Sequence, residues 1–337
     1  MLKGVNQANV TEWLLNEIEG LKAPFEFELI AGGHSNLTFM ATDAAGRQLV
    51  LRRPPLGHVL ESAHDMAREH KIVAALGPTD VPVADALALC RDVEVNDAPF
   101  YIMNYVAGPV LHDRASAEAL SAEEKQSLGF HVIDVLARLH ATNPDEVGLG
   151  DLGRKEAYLT RQLKRWNKQW EASKTHEIPE MEEVSALLEA HMPEQIGSAI
   201  VHGDYRLGNM IIGDGRVKAV LDWELCTLGD ALADVGYLLN NWIVPGDPNE
   251  ADADVPTAGG GFPSREALCE RYTDATGTDL SGINYYRAFS HWRLAAIGQG
   301  VYKRYLVGAM GENPDMDLEQ YKEGVRLRAV AALELLS

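Results

Sequence analysis

The chain has 337 residues, with 50 acidic side chains against 30 basic ones, a formal net charge of −20 and a pI near 4.9. Nucleic acid and anionic membrane surfaces both demand a cationic face, so this balance argues against either as a partner, and the length suffices for one large bilobal unit or two domains. Cys90, Cys226 and Cys269 are widely spaced, the 11 histidines form no ligand constellation, no apolar run reaches membrane-spanning length, and residues 1–20 include acidic side chains where a signal peptide is apolar; the expectation is a reduced, cytoplasmic protein without a zinc site.

In chain order, Asn9-Val10-Thr11-Glu12 reads as a capping box opening a helix that runs to about Glu19. Residues 29–39 read as strand, glycine turn, strand. Gly32 and Gly33 lie at the turn, with Ser35 and Asn36 just after it. Glycines without Cβ atoms let backbone approach a phosphate, although an ordinary hairpin satisfies the same pattern. Residues 48–55 form a strand with Arg52 and Arg53 at its polar end. In residues 66–76, Ile72, Val73 and Leu76 recur at helical spacing, and residues 99–108 are an apolar strand running into Gly108.

Ser121-Ala122-Glu123-Glu124 is a second capping box, followed by a core stripe of Leu128, Val132, Val135, Leu136 and Leu139. Helices are expected over 156–170, 181–192, 231–242, 265–276, 283–305 and 318–336. Residues 245–256, with Gly259 to Gly261, have loop chemistry; a mobile lid whose carboxylates meet an amine-bearing substrate and a solvated acidic excursion both fit. Arg293 lies in an apolar and aromatic stretch, so it needs a partner, and Asp230 and Asp234 are the candidates. A mixed first part followed by a helical one implies an α+β fold with its site in the cleft.

The chemistry concentrates in His202-Gly203-Asp204-Tyr205-Arg206-Leu207-Gly208-Asn209 and the later Asp222-Trp223-Glu224. Short apolar strands precede and follow the loop, and the last ends at Asp222, an order that brings the polar groups to one rim of a small sheet. An Asp, an Asn five positions on and a second Asp eighteen positions on reproduce the layout of a phosphoryl-transfer loop. There the first Asp takes the proton of an attacking hydroxyl, while the other two hold Mg²⁺ against nucleotide phosphates.

HGDYRLGN followed by DWELCTLGDALAD resembles the aminoglycoside and choline phosphotransferase superfamily, whose members share the protein-kinase-like fold. The resemblance spans nearly the whole chain. With Arg52-Arg53-Pro54-Pro55 and the helix around Arg293, it is most similar to the subgroup fused to, or encoded near, acyl-CoA dehydrogenases. It implies a nucleotide-binding lobe over 1–103, a hinge over 104–108 and a catalytic lobe over 109–337. ATP is then the phosphoryl donor, with Mg²⁺. Asp204 becomes the catalytic base, Asn209 and Asp222 the metal ligands, Asp230 and Asp234 loop braces, and His202 a hydrogen-bonding residue.

Upstream, the resemblance implies phosphate contacts from Gly32, Gly33, Ser35 and Asn36. Arg52 stands where kinases carry Lys, with Arg53 its rival and Glu69 its acidic partner. The Asn104 carbonyl and Val106 N–H face the adenine, Asn104 replacing a frequent Glu. The implied acceptor is a small hydroxyl-bearing molecule such as a hydroxyacyl thioester. An aminoglycoside-type kinase and a nucleotide-binding pseudokinase regulator are the alternatives.

Overall fold

The computed structural model describes residues 2–31, 36–56, 64–247, 250–251, 253–309 and 317–337. Helix α1 (Gln7–Glu17) starts two residues before the expected capping box, because Asn6 is the N-cap and its side chain accepts the Asn9 N–H at 3.4 Å. A five-stranded antiparallel sheet follows, in the order β1-β2-β3-β5-β4. Its strands are β1 (Glu26–Ala31), β2 (Leu37–Thr42), β3 (Gln48–Arg53), β4 (Ala86–Cys90) and β5 (Phe100–Asn104). Helices α2 (Met66–Leu76) and α3 (Val93–Asn96) interrupt the strand series.

The period of two along β3 divides this sheet. Leu49 and Leu51 pack with Phe39, Phe100, Ile102 and the Val10 and Leu14 of α1. Val50 points the other way, with Tyr101, Met103 and Met66 of α2. Arg52 therefore follows Val50 onto the α2 face, and Arg53 follows Leu51.

The rest is mainly helical: α4 (Ala122–Ala141), α5 (Tyr158–Ser173), α6 (Pro179–Ala190), α7 (Leu232–Asn240), α8 (Arg265–Thr276), α9 (Ile283–Leu306) and α10 (Leu318–Leu336). At the start of α4 the capping box forms as expected: Ser121 Oγ accepts the Glu124 N–H at 3.2 Å, and the Glu124 carboxylate accepts the Ser121 N–H at 2.8 Å. Helix α5 begins later than expected because Ala157 has a left-handed φ of +50°. Helix α9 packs against α5, α6, α7 and α10, and its Tyr286, Phe289 and Trp292 join one large core with Trp170, Trp223 and Trp242.

Between α6 and α7 lie β6 (Ala199–Val201), β7 (Met210–Gly213), β8 (Arg216–Val220) and β9 (Thr227–Gly229). They form two separate ladders, β6 with β9 and β7 with β8, so the single small sheet expected there is divided. The small sheet-based part and the larger helical part make the bilobal α+β fold. Among the described residues no helix is long and apolar enough to cross a membrane.

Candidate active site

Strand β6 delivers the chain to His202, where α7 takes hold of it. Asp234 accepts the backbone N–H groups of His202 at 2.6 Å and Gly203 at 2.8 Å, with His140 Nε2 at 3.4 Å. Burial pushes the Asp234 carboxyl up, but His140, His202 and the Gly203 N–H outweigh it and hold it below the usual range. Asp234 is thus the loop brace the sequence suggested. Asp230 is not: it accepts the Tyr286 hydroxyl at 2.7 Å and so ties the turn between β9 and α7 to α9. His202 Nδ1 accepts the Asp204 N–H at 3.2 Å, which leaves Nε2 to donate to the Leu221 carbonyl at 2.9 Å. His202 therefore fastens the loop to the residue before Asp222. Gly203 has a φ of +85°, and a Cβ there would lie 2.9 Å from the Leu225 carbonyl oxygen.

The Asp204 carboxylate accepts from three donors: the Tyr237 hydroxyl, Arg206 Nε at 3.3 Å and Asn209 Nδ2 at 2.7 Å. Asn209 Nδ2 also donates to the Asp204 carbonyl at 2.9 Å, and two acceptors on one nitrogen fix the amide orientation. Asp222 follows β8 with a φ of +64°, a left-handed conformation costly for a non-glycine residue. Burial and then the neighbouring Asp222 push the Glu224 carboxyl up to about 7.

Arg52 joins the two lobes. Its Nε lies 2.9 Å from Glu69 on α2, and its NH2 lies 2.7 Å from Asp222. Glu69 is 3% exposed, so it is no surface acid; burial pushes its carboxyl up while Arg52 pulls it down. Arg53 points away and donates to the carbonyls of Gly4 at 2.8 Å and Asn96 at 3.1 Å, which removes it as a rival. Asn36 is buried between Glu69 and Glu224, 3.4 Å from each, and its amide oxygen meets His64 Nδ1 at 2.8 Å. Gly32, Gly33 and Ser35 lie outside the described residues.

Of these groups, Asn36, Arg52, Glu69, Asn209 and Asp222 face a cavity of 590 Å³ whose walls also include Val50, Met103 and Val106. Asn104 lines it too, with its N–H donated to the Asp85 carbonyl at 2.9 Å and its side-chain amide to the Asp85 carboxylate at 3.0 Å. Val106 N–H makes no hydrogen bond to another described residue.

Two expectations need correction. Arg293 pairs with neither Asp230 nor Asp234; it donates to the Gly203 carbonyl at 2.8 Å and sits over the Tyr237 ring at 5.2 Å. The described part of 245–263 is tied down, not poised as a lid. Asp247 pairs with Arg265, Asp254 accepts the Arg114 N–H at 3.1 Å, and the Arg114 guanidinium donates to the Glu250 carbonyl at 2.7 Å. None of these carboxylates lines the cavity. Tyr237, His64 and Arg206 carried no prior signal, apart from the place of Arg206 inside the loop motif.

Residues 26–268 match the family described as phosphotransferase enzymes, the APH family. The chain belongs to the phosphotransferase enzyme family. As a phosphotransferase it is similar to a Ralstonia eutropha crystal structure provisionally described as an aminoglycoside phosphotransferase, at 34% identity and a TM-score of 0.83, covering 98% of each chain. It is also 38% identical to mouse acyl-CoA dehydrogenase family member 10 over 292 residues, 85% of this chain and 27% of that protein. The chain spans less than two fifths of the length of the curated relatives it matches. The streptomycin–ATP ternary complex of APH(2″)-IIa shares the fold at 17% identity and a TM-score of 0.62, covering 95% of this phosphotransferase and 99% of that chain.

Proposed function

We propose that the chain transfers the γ-phosphoryl group of ATP to the hydroxyl of a small molecule, with a hydroxyacyl thioester the favoured acceptor. One observation carries the reading: Arg52, Asn209 and Asp222 meet at one cavity between the lobes, and Asp204 is hydrogen-bonded to Asn209. In this reading residues 104–108 join the lobes, the Val106 N–H and Asn104 carbonyl receive the adenine, and Asn36 and Arg52 face the phosphates. Glu69 aims Arg52, as the fork geometry of a guanidinium allows.

The residues fit Mg²⁺. Asn209 Nδ2 donates to both the carbonyl and the carboxylate of Asp204, so its amide oxygen is left for a hard cation, and Asp222 offers a carboxylate on the same wall. Bound there, the ion would neutralise phosphate charge. Asp204 accepts the proton of the acceptor hydroxyl as its oxygen bonds to the γ-phosphorus, and the bond from that phosphorus to the β-bridging oxygen breaks to release ADP. Tyr237, Arg206 and Asn209 hold the Asp204 carboxylate in place during this step. The acyl thioester follows from kinship with proteins that carry an acyl-CoA dehydrogenase name, and the tied-down acidic segment 245–263 weakens the case for a polycationic acceptor.

Calorimetric titration of ATP with and without Mg²⁺ tests the assignment. Asp222→Ala should lose Mg²⁺-dependent binding more severely than Asn209→Ala, since a carboxylate neutralises metal charge and an amide contributes only a dipole. Equal or reversed losses contradict it.

A further inference from the structure

A second cavity, of 480 Å³, lies on the other side of Asn36 and Glu69, which line both cavities. Its walls include Gly203, Arg293, Tyr158, Gln162, Arg165 and Trp166, so it opens beside the residue preceding Asp204. The last four belong to α5 and recur at helical spacing, which puts them on one face.

The charge on this wall is opposite to that of the molecule. Helix α5 carries four basic residues, Arg161, Lys164, Arg165 and Lys168, against one acidic residue, Glu171, in a chain of net charge −20. Arg165 is exposed, stacks over the Trp166 ring at 4.9 Å and pairs with no carboxylate among the described residues. Arg293 is 8% exposed, and its buried Nε has no hydrogen-bond partner among the described residues.

The cavity's acids are already engaged. Asp65 caps α2 by accepting the Arg68 N–H at 3.0 Å, Glu69 pairs with Arg52 at 2.9 Å, and Glu224 accepts from Asn36 at 3.4 Å. Arg68 is likewise spent, on the Leu152 carbonyl at 3.3 Å and the Cys226 carbonyl at 2.5 Å. The lining holds three arginines, Arg68, Arg165 and Arg293, against Asp65 and Glu224, with Glu69 paired to Arg52, a surplus of positive charge.

We propose that this cavity takes the acceptor and that Arg165 binds an oxyanion at the acceptor's far end, while Arg161 and Lys168, on the same helical stripe but outside the lining, add long-range attraction. This rests on the phosphotransfer reading and narrows it: the acceptor is a hydroxyl compound with a phosphate or carboxylate arm, and polycations are excluded. A guanidinium stacked on an indole is held ready to form two parallel bonds to an oxyanion, and the flanking cations attract it over roughly a Debye length of about 8 Å at physiological salt.

The experiment reads binding and not turnover. With the nucleotide cavity filled by Mg²⁺ and a non-hydrolysable ATP analogue, and again without them, the protein is titrated with two pairs of probes. One pair is 4′-phosphopantetheine against pantetheine; the other is 3-hydroxybutyrate against its amide. At least one anionic member should bind tenfold or more tighter than its neutral partner, and the pair that separates identifies phosphate or carboxylate as the source. Arg165→Glu and Arg165→Ala, both at an exposed position, should erase that ratio, whereas Lys322→Glu on α10 should keep it. Melting temperatures confirm that the variants fold. Equal affinity within both pairs, a ratio that survives loss of Arg165, or tighter binding of spermidine than of any anionic probe overturns the proposal. A protein that binds the anion but releases no ADP would instead count against the phosphotransfer reading alone.

Discussion

Arg52 shows how much depends on side-chain shape. Its Nε meets Glu69 and its NH2 meets Asp222, two carboxylates on different lobes reached from one planar group. A lysine has one ammonium and cannot span both, so Arg52→Lys should weaken nucleotide binding by about 10- to 100-fold, the equivalent of losing one charge-assisted bond. Titration of ATP with Mg²⁺ checks it, and wild-type affinity would show that Arg52 acts as a point charge. Arg52→Ala additionally strands the buried Glu69 and should cost about 3–5 kcal/mol of stability in denaturant unfolding. At Tyr237 the change is gentler. Tyr237→Phe removes one of three donors to Asp204, which should lower kcat by about tenfold, as for one hydrogen bond to a charged group, with the KM for ATP unchanged. Gly203→Ala forces a Cβ toward the Leu225 carbonyl at a φ of +85°, a strain of about 1–3 kcal/mol measurable by urea unfolding.

At the scale of elements, α9 is both the spine of the helical lobe, tied through Tyr286 to Asp230, and the support of the loop, through Arg293 to Gly203. The same helix carries His291, whose pKa burial lowers to about 3, with Arg328, Arg287 and Arg265 adding to the effect. A histidine depressed in the folded state is neutral there and protonated in the unfolded chain below about pH 6.5. Stability is therefore lost as pH falls from that value toward 3, by about 2 kcal/mol at pH 5. Melting temperatures of wild type and His291→Gln between pH 7.5 and 5 should converge as the pH drops; parallel curves would exclude this contribution.

The elements also explain what could be read in advance. The span from His202 to Asp222 was legible because its chemistry is local, and α2, α8 and α10 because their periodicity or caps mark both ends. Strand β9 escaped because Thr227-Leu228-Gly229 is not an apolar run like the equally short β6, and its pairing with β6 is long-range. Tyr237, His64 and Arg293 reach the site only through packing of distant segments, which no spacing encodes. The segment 245–263 looked like a lid because composition is blind to Arg114 and Arg265, the two cations that anchor it.

Over the whole molecule, the bilobal fold places two cavities that share Asn36 and Glu69 in their walls, one lined by Asn209 and Asp222 and the other by Gly203, Arg165 and Arg293. That division was only partly legible: the order of motifs along the chain implied a cleft, but the acid-rich composition hid the basic face of α5. The central claim is that Asp204 receives the proton of an acceptor hydroxyl during transfer from ATP. Its most direct test is ADP release from Mg²⁺–ATP across hydroxyacyl thioesters, amino alcohols, sugars and aminoglycosides, run side by side with wild type and Asp204→Asn. The account predicts acceptor-dependent release by the wild type with an anionic hydroxyl compound, and a fall in kcat of about 10²- to 10⁴-fold in Asp204→Asn with ATP affinity nearly unchanged. Acceptor-dependent release at a near wild-type rate by Asp204→Asn, or none by the wild type with any acceptor, would contradict it.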